Sequence, residues 1–114
     1  MKFRDILQVV EGEVLCGHDH LDMDVEYAFA SDLMSDVLTL KSRNFILITG
    51  LCNVQSVRTA EISDIHAILY VRDKDVNSEM ITIGQENNML ILRTPYSMFR
   101  TIGCLYAAGL KPLY

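Results

Sequence analysis

Three short apolar runs recur along this chain, and each ends in a small or polar turn followed by a stretch with helical spacing. The runs cover residues 45–48, 67–71 and 89–92. Strand, turn and helix in repetition predict an α/β three-layer sandwich with a mostly parallel sheet and helices on its faces. Ligands of such sheets bind beyond the carboxyl ends of the strands, so the turns after the runs are the expected place for a site.

The length and composition set limits on the rest of the structure. The chain has 114 residues, which is enough for one domain, spanning 1–114, but not for two. Half of the residues are hydrophobic, which is rich for a domain with so much surface. We therefore expect part of the apolar surface to be covered by a second copy, as a homodimer, or by another partner protein.

The charge of the chain excludes several classes of partner. The formal net charge is -5, and Lys and Arg do not cluster anywhere, so we expect neither nucleic-acid binding nor attachment to anionic membranes. No apolar run approaches the roughly 18 residues of a membrane span, and the first residues do not have the pattern of a signal peptide. The three cysteines are widely spaced, which favours a reducing, cytoplasmic location.

The first third of the chain predicts one helix and two strands. Residues 2–10 have helical spacing, and Gly12 is the expected end of that helix. Strands are predicted at 13–16 and 25–30, paired as a loose hairpin across the polar turn at 17–22. The inward face of the helix consists of apolar residues at i, i+3, i+4 and i+7: Phe3, Ile6, Leu7 and Val10.

The remainder predicts three further strand–helix units. A helical turn follows the second strand, residues 40–43 lead into a strand at 44–49, and helices are predicted at 54–63, 76–86 and 97–108. Gly109 ends the last helix, and Pro112 follows it. The apolar positions that we expect to face inward on these helices are Val54, Val57, Ala60, Val76, Met80, Ile83, Met98, Ile102, Leu105 and Tyr106.

Polar side chains at the ends of three strands form the candidate ligand site. Hydroxyl groups, a helix start and a glycine suit a small anionic ligand, and a tyrosine ring suits stacking on a base. Helix capping and ordinary turn structure are the alternative for each of these residues. The candidate ligand-binding residues are Ser31, Asp32, Ser35, Thr49, Gly50, Asn53, Thr94, Tyr96 and Ser97.

The sequence offers little support for a metal site or a catalytic site. Cys16, His18 and His20 alternate as the ligands of a metal would on one face of a strand, but Gly17 and the nearby aspartates favour a polar turn, so no metal site is expected. No nucleophile elbow, phosphate-binding loop or paired catalytic acids can be recognised, so we expect no catalytic residues, no cofactor and no enzyme activity. Arg58 is expected to be a surface charge.

Segments of this chain resemble the DRTGG domain family over nearly its whole length. The resemblance lies in the stretch VEYAFASDLMSDVL at 25–38 and in the segments ITGL at 48–51, VRTAE at 57–61 and TPYSMF at 94–99. It implies a small α/β sandwich like the amino-terminal domain of HPr kinase/phosphorylase, without the kinase domain. The motif that names the family is not present literally, since the turn after Gly50 reads LCNVQ.

The resemblance also has implications for function. Domains of this family accompany CBS pairs in inorganic pyrophosphatases and occur in phosphotransacetylases, where they look regulatory and help to form dimers. We therefore expect a non-catalytic regulatory or sensing domain that is a homodimer and binds a small anionic metabolite or nucleotide. The alternatives are a protein-interaction module without a small ligand, or an accessory subunit of a metabolic or phosphotransfer enzyme.

Overall fold

The repeated strand–helix pattern folds as an α/β sandwich. The computed structural model describes residues 1–40 and 44–114. In chain order its elements are α1 Phe3–Val9, β1 Glu13–Cys16, a short 3-10 helix His18–His20, β2 Tyr27–Ala30, α2 Met34–Val37, β3 Phe45–Thr49, α3 Val54–Ile62, β4 Ala67–Tyr70, α4 Ser78–Glu86, β5 Leu90–Arg93, α5 Met98–Ala107 and β6 Lys111–Pro112.

The six strands form one sheet in the order β1-β5-β4-β3-β2-β6. Strand β1 is antiparallel to β5, and every other pair is parallel. The mostly parallel sheet and its helices confirm the predicted fold class.

Both faces of the sheet are covered, which explains why the apolar runs are continuous rather than alternating. In β3, Ile46 and Ile48 pack in the core shared with α1 and α5, whereas Phe45 and Leu47 pack against α2, α3 and α4. All residues of β3 and β4 are buried. The helices after β2, β3 and β4 therefore lie on one face, and the helix after β5 lies on the other.

The predicted hairpin between the first two strands is wrong. Strand β1 instead pairs with β5, Glu13 lying opposite Arg93, and β2 pairs with β3 and β6. The ten residues between β1 and β2 contain the 3-10 helix and dock on α1, where Arg4 N donates to Leu21 O at 2.9 Å. A hairpin needs a short turn, so this longer connection leaves β1 free to reach the opposite side of the sheet.

The last helix turns a different face to the core than the sequence predicted. Leu105 is buried as expected, but Ile102 is 37% exposed and Tyr106 is 68% exposed. The buried partner of Leu105 one turn earlier is the polar residue Thr101. Apolar spacing alone does not distinguish the side of an apolar helix that meets the sheet from the side that meets solvent.

Smaller differences concern the ends of elements. Strand β6 was not predicted, because a two-residue strand that includes Pro112 lacks a strand pattern; it pairs with β2 at the sheet edge. Helix α4 begins two residues later than expected, at Ser78. The predicted connection through residues 41–43 lies outside the described residues. Gly109, with φ of 108°, ends the last helix as predicted.

Candidate functional site

Four parallel strands end side by side, and the loops that follow them share one edge of the sheet. The register aligns Ala30 with Ile48, Thr49 with Tyr70, and Tyr70 with Arg93. We call the loops after β2, β3, β4 and β5 the strand-end rim, formed by residues 31–33, 50–53, 71–77 and 94–97. This arrangement brings several of the predicted site residues together.

Asp32 links the first two loops of the strand-end rim. Its Oδ1 accepts hydrogen bonds from Gly50 N at 2.6 Å and from Thr49 Oγ1 at 3.1 Å. Thr49 Oγ1 in turn accepts from Leu51 N at 3.1 Å. The carboxylate thus holds the turn after β3 and occupies the Gly50 N–H group.

Asp32 does not cap α2, although helix capping was one alternative for this residue. The residue at the cap position of α2 is Leu33, which has no side-chain cap. Ser31 Oγ accepts from Leu33 N at 3.0 Å, a local turn that precedes the helix. Ser35 lies exposed within α2. Tertiary contact with the neighbouring loop, rather than the local helix start, decides where the Asp32 carboxylate points.

Arg72 is the rim residue that sequence reasoning missed. It follows β4, is exposed, and has a φ of 67°, while Asp73 has a φ of 53°. Two successive left-handed residues other than glycine are costly. Backbone hydrogen bonds hold them, Arg72 N donating to Tyr96 O at 2.8 Å and Asp73 N to Thr94 O at 2.9 Å. The signal was available, because Arg72 is a charged residue in the turn directly after an apolar run, two residues beyond the end of β4.

Gly50 allows Asp32 and Arg72 to approach each other. A Cβ atom at position 50 would lie 3.0 Å from Arg72 Nη2 and 3.4 Å from each carboxylate oxygen of Asp32. Gly50 is itself buried beneath these two exposed side chains. A carboxylate and a guanidinium therefore flank one glycine at the centre of the strand-end rim.

The start of α3 adjoins this centre. Asn53 caps the helix as predicted, its Oδ1 accepting from Ser56 N at 2.8 Å. Ser56 Oγ donates to Asn53 O at 2.7 Å and lies 2.6 Å from the Tyr70 hydroxyl. Burial raises the pKa of Tyr70, so this hydroxyl stays neutral and serves as a hydrogen-bonding group. The network fixes the first turn of α3, whose N–H groups carry partial positive charge, beside Gly50.

The three predicted residues after β5 are held by other parts of the fold. Thr94 Oγ1 is fully buried, donates to Val10 O at 2.6 Å and accepts from Tyr96 N at 3.1 Å. Ser97 Oγ caps α5 by accepting from Arg100 N at 3.2 Å. The Tyr96 hydroxyl donates to Glu11 at 2.8 Å, and its ring lies 3.8 Å beneath the Arg100 guanidinium carbon. These contacts shape the strand-end rim from the side of α1 and α5.

The possible metal ligands near the first strand do not converge. Cys16 is buried, its Sγ donates to Met89 O at 3.5 Å, and burial raises the pKa of the thiol. His18 is exposed in the 3-10 helix, and His20 Nε2 lies 3.2 Å from Asn88 Oδ1. Across residues 1–40 and 44–114, no three His, Cys, Asp or Glu side chains form a group able to hold a metal ion.

The exposed position of Arg58 on α3 agrees with its predicted role as a surface charge. Among the helices that the structure describes, none is long and apolar enough to cross a membrane.

Comparison with known proteins supports the fold. No protein-family model matches the sequence, and no curated protein is significantly similar to it. A solved structure that is similar contains the CBS and DRTGG domains of the regulatory region of Clostridium perfringens pyrophosphatase, complexed with the activator diadenosine tetraphosphate. The TM-score is 0.74 at 14% sequence identity, over 89% of this chain and 44% of that one.

This chain thus spans less than half of the pyrophosphatase regulatory region that it resembles. At such low identity the similarity concerns the fold alone. It confirms the DRTGG-like α/β sandwich that the sequence resemblance implied.

Proposed function

We propose that this chain is a non-catalytic regulatory or sensing domain that acts as a homodimer and binds a small anionic metabolite or nucleotide at the strand-end rim. The observation that carries the proposal is the convergence of Asp32 and Arg72 over Gly50, beside the start of α3. Asn53, which fixes that start, and Thr49, which fixes the turn, are the predicted residues closest to this centre.

Arg72 supplies the anion-binding group. Within the described parts of the chain, no hydrogen bond or ion pair engages its exposed guanidinium. A guanidinium presents a planar set of donors that matches two oxygens of a phosphate. The first N–H groups of α3 add partial positive charge from the neighbouring loop. Together they favour a phosphate over an uncharged ligand.

Asp32 supplies a different kind of contact. Its Oδ1 is occupied by Gly50 and Thr49, which leaves Oδ2 to accept hydrogen bonds from a ligand. A carboxylate repels a phosphate but accepts from sugar hydroxyls or an exocyclic amine. A ligand with hydroxyls at one end and phosphate at the other satisfies both residues, so a nucleotide fits better than a simple anion.

The similar solved structure agrees with this ligand class. That pyrophosphatase region is regulatory, and its complex contains a nucleotide activator. Similarity to a regulatory region rather than a catalytic one also favours a non-catalytic role. The remaining predicted contacts, Ser31, Ser35, Thr94, Tyr96 and Ser97, stay predictions; they lie in or beside the same loops.

Thermal unfolding of the purified protein tests the ligand proposal. We expect AMP, ATP or diadenosine tetraphosphate to raise Tm by several degrees, because a ligand at 100 times its Kd stabilises the folded state by about 2.7 kcal/mol. Arg72→Ala should remove most of this rise. Arg58→Ala, which removes an exposed arginine from α3 outside the strand-end rim, should leave it intact.

A second pair of variants tests the position of the site. Gly50→Val should also abolish the rise in Tm, because the added methyl groups displace Arg72 and Asp32. Arg58→Ala again serves as the control, since Arg58 is exposed on α3 outside the strand-end rim. No rise with any nucleotide or with inorganic phosphate would contradict the proposal, as would an unchanged rise in Arg72→Ala.

The alternative is an interaction module whose rim holds no small ligand. One observation favours it: α5 exposes large apolar side chains that a partner could cover, with Phe99 89% exposed. The thermal experiment separates the two functions, because a pure interaction module shows no nucleotide-dependent rise in Tm.

A further inference from the structure

The outward face of α5 is unusually apolar for a surface in contact with water. Phe99 is 89% exposed, Ile102 37% and Tyr106 68%, and their spacing of three and four residues places them in one stripe. Arg100 is the one charged residue among the ten of this helix. Gly103 lies within the stripe, and a Cβ there would meet no atom within 4 Å, so the surface has a notch between the large side chains.

An apolar groove runs beside the stripe. It has a volume of about 310 Å³ and lies between α5 and the neighbouring strands β2 and β6, of which β6 forms the edge of the sheet. Ile102 and Tyr106 form its border with the stripe, and Tyr114, 81% exposed, lines it from the end of the chain. Its remaining walls are mostly small or aliphatic side chains, among them Ala28, Ala30, Ile48 and Leu105.

We infer that this face, the α5 face, binds a second copy of the same chain about a two-fold axis, with the two α5 helices antiparallel. The inference deepens the proposed homodimer, on which it rests, and is independent of the nucleotide site. A two-fold interface requires protrusions and depressions that complement each other on the same surface. The α5 face has both, since Phe99 protrudes near one end of the helix and the groove opens near the other.

The spacing along α5 fits this arrangement. Phe99 and Tyr106 are separated by about 10 Å along the helix axis, at 1.5 Å per residue. If the antiparallel helices cross near Gly103, Phe99 of each copy lies over Tyr106 and the groove of the other. The missing side chain at Gly103 lets the two helices approach closely at the crossing point.

The available area is compatible with a stable dimer. Aromatic side chains bury roughly 150–250 Å² each, so Phe99, Tyr106 and Tyr114 at their exposed fractions offer roughly 350–600 Å² per copy. A standard interface buries about 800 Å² per partner, which leaves a remainder that Ile102 and the groove walls can supply. Ile62 on α3, another exposed apolar residue at 73%, lies on the opposite face of the sheet.

Light scattering coupled to size exclusion, over a series of protein concentrations, tests the inference. We expect the wild type to be a dimer and Phe99→Asp to weaken dimerisation by roughly 100-fold or more, because the substitution replaces a large aromatic side chain of the interface by a charge in both copies. Ile62→Asp is the matched control. It places the same charge at a similarly exposed apolar position, and it should leave the dimer unchanged.

Circular dichroism checks that each variant folds. If Phe99→Asp does not fold or does not change the dimer, Tyr106→Glu provides a second test of the same face. A dimer that persists in both α5 variants would overturn the interface while leaving the homodimer in place. A wild type that remains monomeric at the highest concentration would overturn both the interface and the homodimer. Neither result affects the nucleotide-dependent rise in Tm, which tests the ligand site separately.

Discussion

At the scale of single residues, two buried threonines have opposite roles. Both Thr94 and Thr101 are fully buried. The Thr94 hydroxyl has two hydrogen-bond partners, Val10 O and Tyr96 N, whereas Thr101 Oγ1 has none among the described residues. A buried hydroxyl without a partner destabilises the fold, but one that satisfies a buried carbonyl stabilises it.

Replacing each threonine by valine, which has nearly the same shape, separates these effects. We expect Thr101→Val to raise the free energy of unfolding by about 1 kcal/mol, because no hydrogen bond is lost. Thr94→Val should lower it by about 2 kcal/mol, because the Val10 carbonyl loses its partner. Urea unfolding at one fixed protein concentration measures both values. Destabilisation by Thr101→Val would show that its hydroxyl has a partner after all.

The centre of the strand-end rim also depends on single residues. Gly50 has no side chain, which lets Asp32 and Arg72 lie close together above it; in the proposed site both would contact one ligand. Arg72 matters because its strained backbone is held by the loop after β5. Strain that neighbouring segments maintain is common at binding sites, in agreement with the proposed role of Arg72.

At the scale of elements, the hydrogen bond between Tyr70 and Ser56 joins the end of β4 to the start of α3. The two oxygens are 2.6 Å apart, and both side chains are buried. Removing the Tyr70 hydroxyl leaves the Ser56 hydroxyl bonded to Asn53 O. Removing the Ser56 hydroxyl instead leaves the buried Tyr70 hydroxyl without this hydrogen-bond partner. We expect Tyr70→Phe to cost about 1 kcal/mol and Ser56→Ala about 2–3 kcal/mol.

The stabilisation from Tyr70 should depend on pH. Burial raises the pKa of Tyr70 in the folded state, so the folded protein holds this proton to a higher pH than the unfolded chain, whose tyrosines ionise near 10. The contribution of the protonated Tyr70 hydroxyl to the free energy of unfolding is fully present below about pH 10. Above that pH the contribution declines by up to about 1.4 kcal/mol per pH unit. The stability advantage of the wild type over Tyr70→Phe should therefore fall by about 1.4 kcal/mol between pH 9 and pH 11, which closes or slightly reverses it.

Urea unfolding of both proteins at the two ends of this pH range measures the gap. Because all other tyrosines are common to both proteins, their ionisation cancels in the difference. A gap that widens as the pH rises would contradict a raised pKa for Tyr70.

At the scale of the whole molecule, charge opposes association while apolar surface favours it. Each copy has a formal net charge of -5, so two copies repel each other at low ionic strength. The α5 face contributes little to this repulsion, since Arg100 is the one charge on its helix. The proposed dimer is therefore held mainly by buried apolar area.

Salt should consequently strengthen the dimer. Raising the ionic strength from about 0.01 to 0.15 M shortens the Debye length from about 30 to about 8 Å and screens the repulsion between the copies. We expect the dimer dissociation constant to fall several-fold over this range, measured by sedimentation equilibrium. A dissociation constant that rises with salt would indicate an interface based on ion pairs rather than on the α5 face.

Much of the architecture was predictable because local signals determine it. The apolar runs at 45–48, 67–71 and 89–92 predict β3, β4 and β5 to within a residue or two, since only strands covered on both faces are apolar throughout. Asn53 and Ser97 predict helix starts because their side chains bond to N–H groups three residues away. Parallel strands then require that the turns after them share an edge.

Other features depend on contacts that no local pattern encodes. The pairing of β1 with β5, the Asp32 contact with Gly50 and the buried face of α5 all join residues that are far apart in the chain or on different elements. The sequence by itself determined the strands of the three apolar runs, the starts of α3 and α5 and the common edge of the loops that follow parallel strands, because each depends on a few neighbouring residues. Only the tertiary structure decided that Arg72 lies beside Asp32 over Gly50 and that Ile102 and Tyr106 are exposed, because the packing of distant segments selects one arrangement among several that satisfy the local rules equally well.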